Sequence, residues 1–172
     1  MTQQSVITPV STVEKDGLKF VIFDAPNDSN LPGYITELTK ENVGCVVRVC
    51  DSTYDKTKLE SVGIAVNDWP FPDGDPPPDA IITNWLSLIK TTFEGDKKKG
   101  GGGGNKKCIG IHCVAGLGRA PVLVAIALIE KGVDPLDAVQ LIRGRRRGAI
   151  NAKQLSFLES YKRRSKKDCV IQ

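Results

Sequence analysis

The segment "KCIGIHCVAGLGRAPVLVAIALIE", residues 107–130, constrains the fold more than any other stretch of the chain. An apolar run of strand length enters a turn holding two glycines and leaves it as a helical stretch that is apolar all round. Neither element has a polar face to offer water, so both must be covered by other parts of the chain. Three further segments read as strands bounded by turn residues: "LKFVIFDAP", "GCVVRVCD" and "GIAVNDWPF". Helical patterns fall between and after them. In "LPGYITELTKENV" the spacing puts Leu31, Tyr34, Leu38 and Val43 on one face, and "PDAIITNWLSLIKTTF" opens on Pro78 and Asp79, which suit a first turn. "DPLDAVQLIRGRR" and "NAKQLSFLESYKRR" follow, with Asp134 and Asn151 as caps. Strands alternating with helices predict an α/β protein with a central, mostly parallel sheet flanked by helices on both faces.

The chain has 172 residues, enough for one domain. That domain is expected over residues 1–165, with a basic tail at 162–172. The stretch "GDKKKGGGGGNKK", at 95–107, is too rich in glycine to pack and reads as a flexible surface loop. Net charge is only +4, but residues 143–167 hold ten Lys or Arg against the single acid Glu159, which points to an anionic partner. The opening residues lack the ordered regions of a secretory signal, and Thr2 replaces the glycine that myristoylation requires. The longest apolar run, residues 120–129, falls short of a membrane span. Five cysteines in such a chain are expected as reduced thiols in a protein that is cytosolic by synthesis.

Sites in sheets of this kind form at the carboxyl ends of strands, and Cys50, Asp73 and Cys113 all lie at or just past such ends. The turn "HCVAGLGRAP" does not read as a nucleotide loop. No acidic residue follows at dinucleotide-fingerprint spacing, and no Gly-Lys-Ser/Thr completes a Walker loop. Cys113 and Arg119 instead stand in C-x5-R spacing. The amides of Val114, Ala115, Gly116, Leu117, Gly118 and Arg119 would point inward around a phosphate, and the following helix would present its positive end to the anion. Arg119 would grip two oxygens with its planar fork, and the same donors would favour a Cys113 thiolate as nucleophile.

A leaving group needs a proton, and "DWPFPDGDPPPD" supplies the carboxylic acids. Asp68 belongs to the strand and Asp79 to the next helix. Asp73, between a proline and a glycine, is the first choice as acid, and Asp75 the second. His112 faces the opposite side of its strand from Cys113, so it is expected to steady the loop through backbone groups. Two C-x4-C pairs cannot gather four thiols on one zinc, because strand residues five apart face opposite ways, so no metal is expected and Cys45 and Cys108 read as apolar filling. If the strands ending at Cys50 and Cys113 are neighbours, a reversible disulfide between the two is geometrically open, an unpaired thiol being the alternative.

These residues carry a resemblance. "VVRVC", "DWPF-DG-PP", "HCVAGLGRAPVLVA", "DAVQ-IR-RRGA-N-KQL" and the terminal "CVIQ" resemble the phosphatases of regenerating liver, prenylated members of the dual-specificity tyrosine phosphatases, over residues 20–172. The resemblance implies the cysteine-phosphatase fold, no cofactor, Cys113 as nucleophile, Arg119 as phosphate binder, Asp73 as general acid and Cys50 as redox partner of Cys113. Two departures stand out: Pro72-Asp73 replaces the usual pair of aspartates, and the Gly/Lys stretch is an insertion. Related phosphatases place Ser or Thr after the arginine, where its hydroxyl helps the sulfur leave. Ala120 stands there in this chain, which implies slow breakdown of a cysteinyl-phosphate.

The tail "KRRSKKDCVIQ" ends in a prenylation box that favours farnesyl on Cys169. Lys162, Arg163, Arg164, Lys166 and Lys167 supply the second signal, attraction to an anionic membrane surface. This predicts the cytoplasmic face of the plasma membrane and endosomes, and cytosol for unprenylated chains. Nucleic acid is not expected, since no aromatic platform accompanies the basic residues. Two functions stay open: a phosphatase acting on phosphoproteins or phosphoinositides, and a binding module whose implied partners are the cyclin-M magnesium transporters. Self-association into a homo-oligomer is also implied by the resemblance.

Overall fold

The computed structural model describes residues 7–95 and 107–164. Most of the glycine–lysine stretch and the end of the tail, with Lys166, Lys167 and Cys169, lie outside the described residues. A five-stranded sheet runs in the order β1-β2-β5-β3-β4. Its strands are β1 (Ser11–Lys15), β2 (Leu18–Phe23), β3 (Cys45–Arg48), β4 (Ala65–Asp68) and β5 (Ile109–His112). All pairs are parallel except β1 with β2. That hairpin turns at Asp16 and Gly17, both at positive φ, the conformation that matches the twist of two-residue hairpins.

Side-chain alternation divides the core into two layers. On one face Phe20, Ile22, Val47, Ile109 and Ile111 pack with Trp85 and Ile89 of α3 (Asp79–Glu94) and with α4 (Arg119–Glu130). Ala138, Val139 and Ile142 of α5 (Pro135–Arg145) and Leu158 of α6 (Ala152–Ser160) complete that layer. On the other face Val21, Phe23 and Val46 meet Leu31, Tyr34 and Leu38 of α1 (Leu31–Lys40) and Leu59 of α2 (Thr57–Ser61). The mostly parallel sheet with helices on both faces is therefore as expected.

Every residue of α4 is buried, as its all-round apolarity requires. Trp85 Nε1 donates to the Leu123 carbonyl at 2.7 Å, fixing α3 against α4. Asp134 caps α5, and Asn151 with Gln154 forms a reciprocal capping box on α6. Cys45 and Cys108 fall in opposite layers, and burial pushes their thiols up to about 11 and about 12. They serve as apolar filling. β5 is the central strand, so the turn that follows it opens at the middle of the sheet's carboxyl edge.

Candidate active site

Cys113 directly follows β5 and is 3% exposed. From there the loop 114–118 climbs to the first turn of α4, and the carbonyls of 114–117 are held from outside. Ala25 N donates to Val114 O, Arg146 to Ala115 O and Gly116 O, and Ile150 N to Leu117 O. A planar peptide sets each N–H opposite its C=O, so amides 115–118 face the loop's interior. The result is a ring of donors at a helix N-terminus, a shape that takes a tetrahedral anion. Gly116 has φ +67, and a Cβ there would lie 2.8 Å from Phe23 O, so only glycine fits. Val114 and Leu117 turn their side chains outward and make the rim apolar.

The Arg119 guanidinium is buried beneath this ring. Its Nη1 donates to Phe71 O at 2.9 Å, while Nε has no hydrogen-bond partner among the described residues and lies 3.8 Å from Asp73 Oδ1. Asp73 sits in a turn with Gly74 at φ +84, and its side chain is 81% exposed. Of the four acids in the segment, Asp73 is the one facing the arginine. Asp68 instead holds Arg48 through two oxygens at 2.5 and 2.9 Å, which keeps its carboxyl below the usual range, and Asp79 pairs with Arg164.

Behind Cys113 the expected backbone tie of His112 is found, and contacts that no motif marked extend it to Tyr54 and Arg48. His112 points to the α1–α2 face, its ring tilted 54° against that of Phe23 with centroids 5.0 Å apart. Its Nδ1 lies 3.1 Å from Cys113 O and its Nε2 2.8 Å from the Tyr54 hydroxyl. A carbonyl can only accept, so Nδ1 carries the proton and Nε2 accepts from Tyr54. Burial pushes His112 down to about 4, leaving a neutral imidazole. Arg48 orders the 49–56 loop from below, donating to Ser52 Oγ and Tyr54 O and stacking 4.8 Å from the Tyr54 ring centre. The tyrosine of "STYDK" belongs to no motif, and Arg48, although inside "VVRVC", gives no local sign of a partner six residues on.

Cys50 follows β3, the strand paired with β5, so the two strands are neighbours as the disulfide geometry requires. Its Sγ is 3.8 Å from His112 Nδ1, and burial raises its thiol. Both Cys50 and Cys113 are free thiols in this structure.

The basic stretch divides. Arg143 donates to Ala149 O and Ile150 O, and Arg146 is buried against the loop, so both serve the fold. At the tail, Arg163 donates to Glu130 O, and Arg164 reaches Asp79 and Thr83 while its backbone N–H donates to Glu130 Oε1. Among the described residues no group of acids, His and Cys is placed to hold a metal, and no helix is long and apolar enough to cross a membrane.

A buried cysteine at the end of a central strand, a C-x5-R loop of inward amides and a carboxylate facing the arginine make the arrangement of a cysteine-dependent protein tyrosine phosphatase. Residues 33–161 match the protein-tyrosine phosphatase family. A solved Leishmania major structure assigned to the protein tyrosine phosphatases superposes with a TM-score of 0.78 at 45% identity, covering 91% of this chain and all of that one. Kinase associated phosphatase, at 19% identity and a TM-score of 0.65, shares the fold. The chain is 52% identical to mouse protein tyrosine phosphatase type IVA 3 over 84% of its length and 79% of the mouse protein. It is also 47% identical to the Drosophila melanogaster PRL-1 phosphatase, covering 94% and 88%. The chain belongs to the type IVA protein tyrosine phosphatases, the phosphatases of regenerating liver.

Proposed function

We propose that this phosphatase works through a long-lived cysteinyl-phosphate on Cys113 and acts on phosphoproteins or phosphoinositides at an anionic membrane surface. Cys113 Sγ attacks phosphorus and the bond to the leaving oxygen breaks, that oxygen taking a proton from Asp73. The amides of 114–119 and the Arg119 guanidinium hold the three remaining oxygens. Water then attacks phosphorus, Asp73 takes a proton from it, and the S–P bond breaks to free phosphate and the thiolate.

Ala120 carries the slow-turnover reading. It is fully buried in the first turn of α4, next to Arg119, where it has no hydroxyl to offer the departing sulfur. Rapid-quench hydrolysis of para-nitrophenyl phosphate should show a burst near one equivalent, with phosphate on Cys113 in the intact mass. Ala120→Ser should raise the steady rate by up to about a hundredfold and shrink the burst, the lower end of what one assisting group contributes. A trace without a burst, or an unchanged rate in Ala120→Ser, refutes the reading.

The same observation favours a second reading, in which the loop grips an acidic side chain of a partner such as a cyclin-M magnesium transporter. Binding of that kind would be lost when Cys113 is phosphorylated and would survive Asp73→Ala. Farnesyl on Cys169 with the basic tail supports placement on the plasma membrane and endosomes, with self-association there. A Cys50–Cys113 disulfide would silence the nucleophile.

A further inference from the structure

Arg146 belongs to a run of arginines that reads as surface charge, yet it is 7% exposed. Its guanidinium makes every bond a planar fork allows. Nε donates to Gly116 O at 2.8 Å, Nη2 to Ala115 O at 2.9 Å and to Asp24 Oδ1, and Nη1 to Ser11 Oγ at 3.1 Å and Ile22 O at 3.3 Å. Two of these acceptors are the loop carbonyls whose peptide planes carry the N–H groups of Gly116 and Leu117. The other three come from β1, β2 and the residue after β2, all before residue 33, where the match to the tyrosine phosphatase family begins.

We infer that Arg146 is the positioning residue that sets the loop's affinity for phosphate, with Asp24 holding it in place. The inference rests on the loop being a phosphate cradle. By fastening the carbonyls of 115 and 116 from outside, the guanidinium turns the next two amides toward the anion. The amino-terminal hairpin is its fixed support. The fit is close, since a Cβ on Gly116 would come within 2.6 Å of Nη2. Lysine cannot replace it, because one ammonium cannot span two adjacent carbonyls and a carboxylate in a plane.

The test is binding of tungstate, an oxyanion probe, by titration calorimetry, with thermal melting in its absence. Arg146→Ala and Arg146→Lys should each weaken tungstate about tenfold or more and slow the burst in step, since small misplacement of catalytic groups costs up to about a hundredfold. Millimolar guanidinium ion should restore much of the loss in Arg146→Ala and none in Arg146→Lys, whose side chain fills the space. If Arg146→Ala does not fold, Asp24→Asn, which keeps the fork but removes its counter-charge, should weaken tungstate by about threefold to fivefold. Tungstate affinity within twofold of the parent in the folded variants, with only the melting temperature lowered, overturns the inference. Arg119→Ala separates the two claims: if it abolishes binding while the Arg146 and Asp24 variants do not, the cradle stands and Arg146 only supports the fold. If the parent itself binds no tungstate, the cradle and the inference both fail.

Discussion

The single histidine of this chain should dominate its stability between pH 7.5 and 5. In the fold His112 is fully buried and titrates at about 4, against an ordinary value of 6.5. As pH falls below 6.5 the unfolded chain takes up a proton that the folded chain refuses. Stability is therefore complete above that value and is lost progressively down to the folded one. For a group moving from 6.5 to about 4, the difference between pH 7.5 and pH 5 is about 2 kcal/mol, and at lower pH it approaches about 3 kcal/mol. Other groups stay out of this window. Asp55, Asp68 and Glu94 are lowered from 3.8 or 4.5, so their losses come at more acidic pH, and the shifted cysteines and tyrosines are raised.

Urea unfolding at half-unit steps of pH measures the slope. The parent should lose about 2 kcal/mol over the interval, and His112→Asn, whose amide can still donate to Cys113 O, should be nearly flat whatever its absolute stability. An equal slope in both proteins would show that the histidine is not held neutral by the fold.

The loop and the tail give further outcomes. Gly116→Ala forces a Cβ into the left-handed region and against Arg146 and Phe23 O, so it should cost about 2 kcal/mol in urea unfolding and weaken phosphate capture; a change below about 0.5 kcal/mol would contradict the strain. Cys169→Ser should move the protein from the membrane fraction to the cytosol in cell fractionation, and an unchanged distribution would remove the lipid anchor.

Much of this architecture is written in local pattern. Short apolar runs bounded by turn residues gave away β2 to β5, helical spacing or all-round apolarity gave away α1 and α3 to α6, and the opposite facing of His112 and Cys113 follows from strand geometry alone. Two elements escaped. β1 (STVEK) has Val13 as its one apolar residue, so it makes no apolar run, and only Asp16-Gly17 before β2 hints at the hairpin. α2 carries one buried residue, Leu59, in five, too little for a period to show. Cys113, Arg119 and Asp73 could be picked out as candidates because C-x5-R spacing and an aspartate set between proline and glycine stand out locally, and the fold brings the last two within 3.8 Å. Arg146 was not, because a buried arginine and a solvated one look alike in "RGRRRG", and only its long-range partners Ser11, Ile22 and Asp24 tell them apart. Tyr54 was hidden for the same reason: its partner His112 lies 58 residues away.

The clasp on residues 161–164 has a geometric consequence. Tyr161 and Arg164 are moored to Glu130, and Arg164 is tied to Asp79, the residue that opens α3 just after the acid loop. The described chain therefore ends beside the start of α3, the helix that follows the loop carrying Asp73. Cys169 lies five chain steps beyond Arg164, which even fully stretched span at most about 18 Å. With a lipid on Cys169, that leash is too short for the start of α3, and the Asp73 loop that leads into it, to move far from the bilayer. The enzyme would graze phosphate groups presented at the membrane surface and would seldom meet those in the bulk.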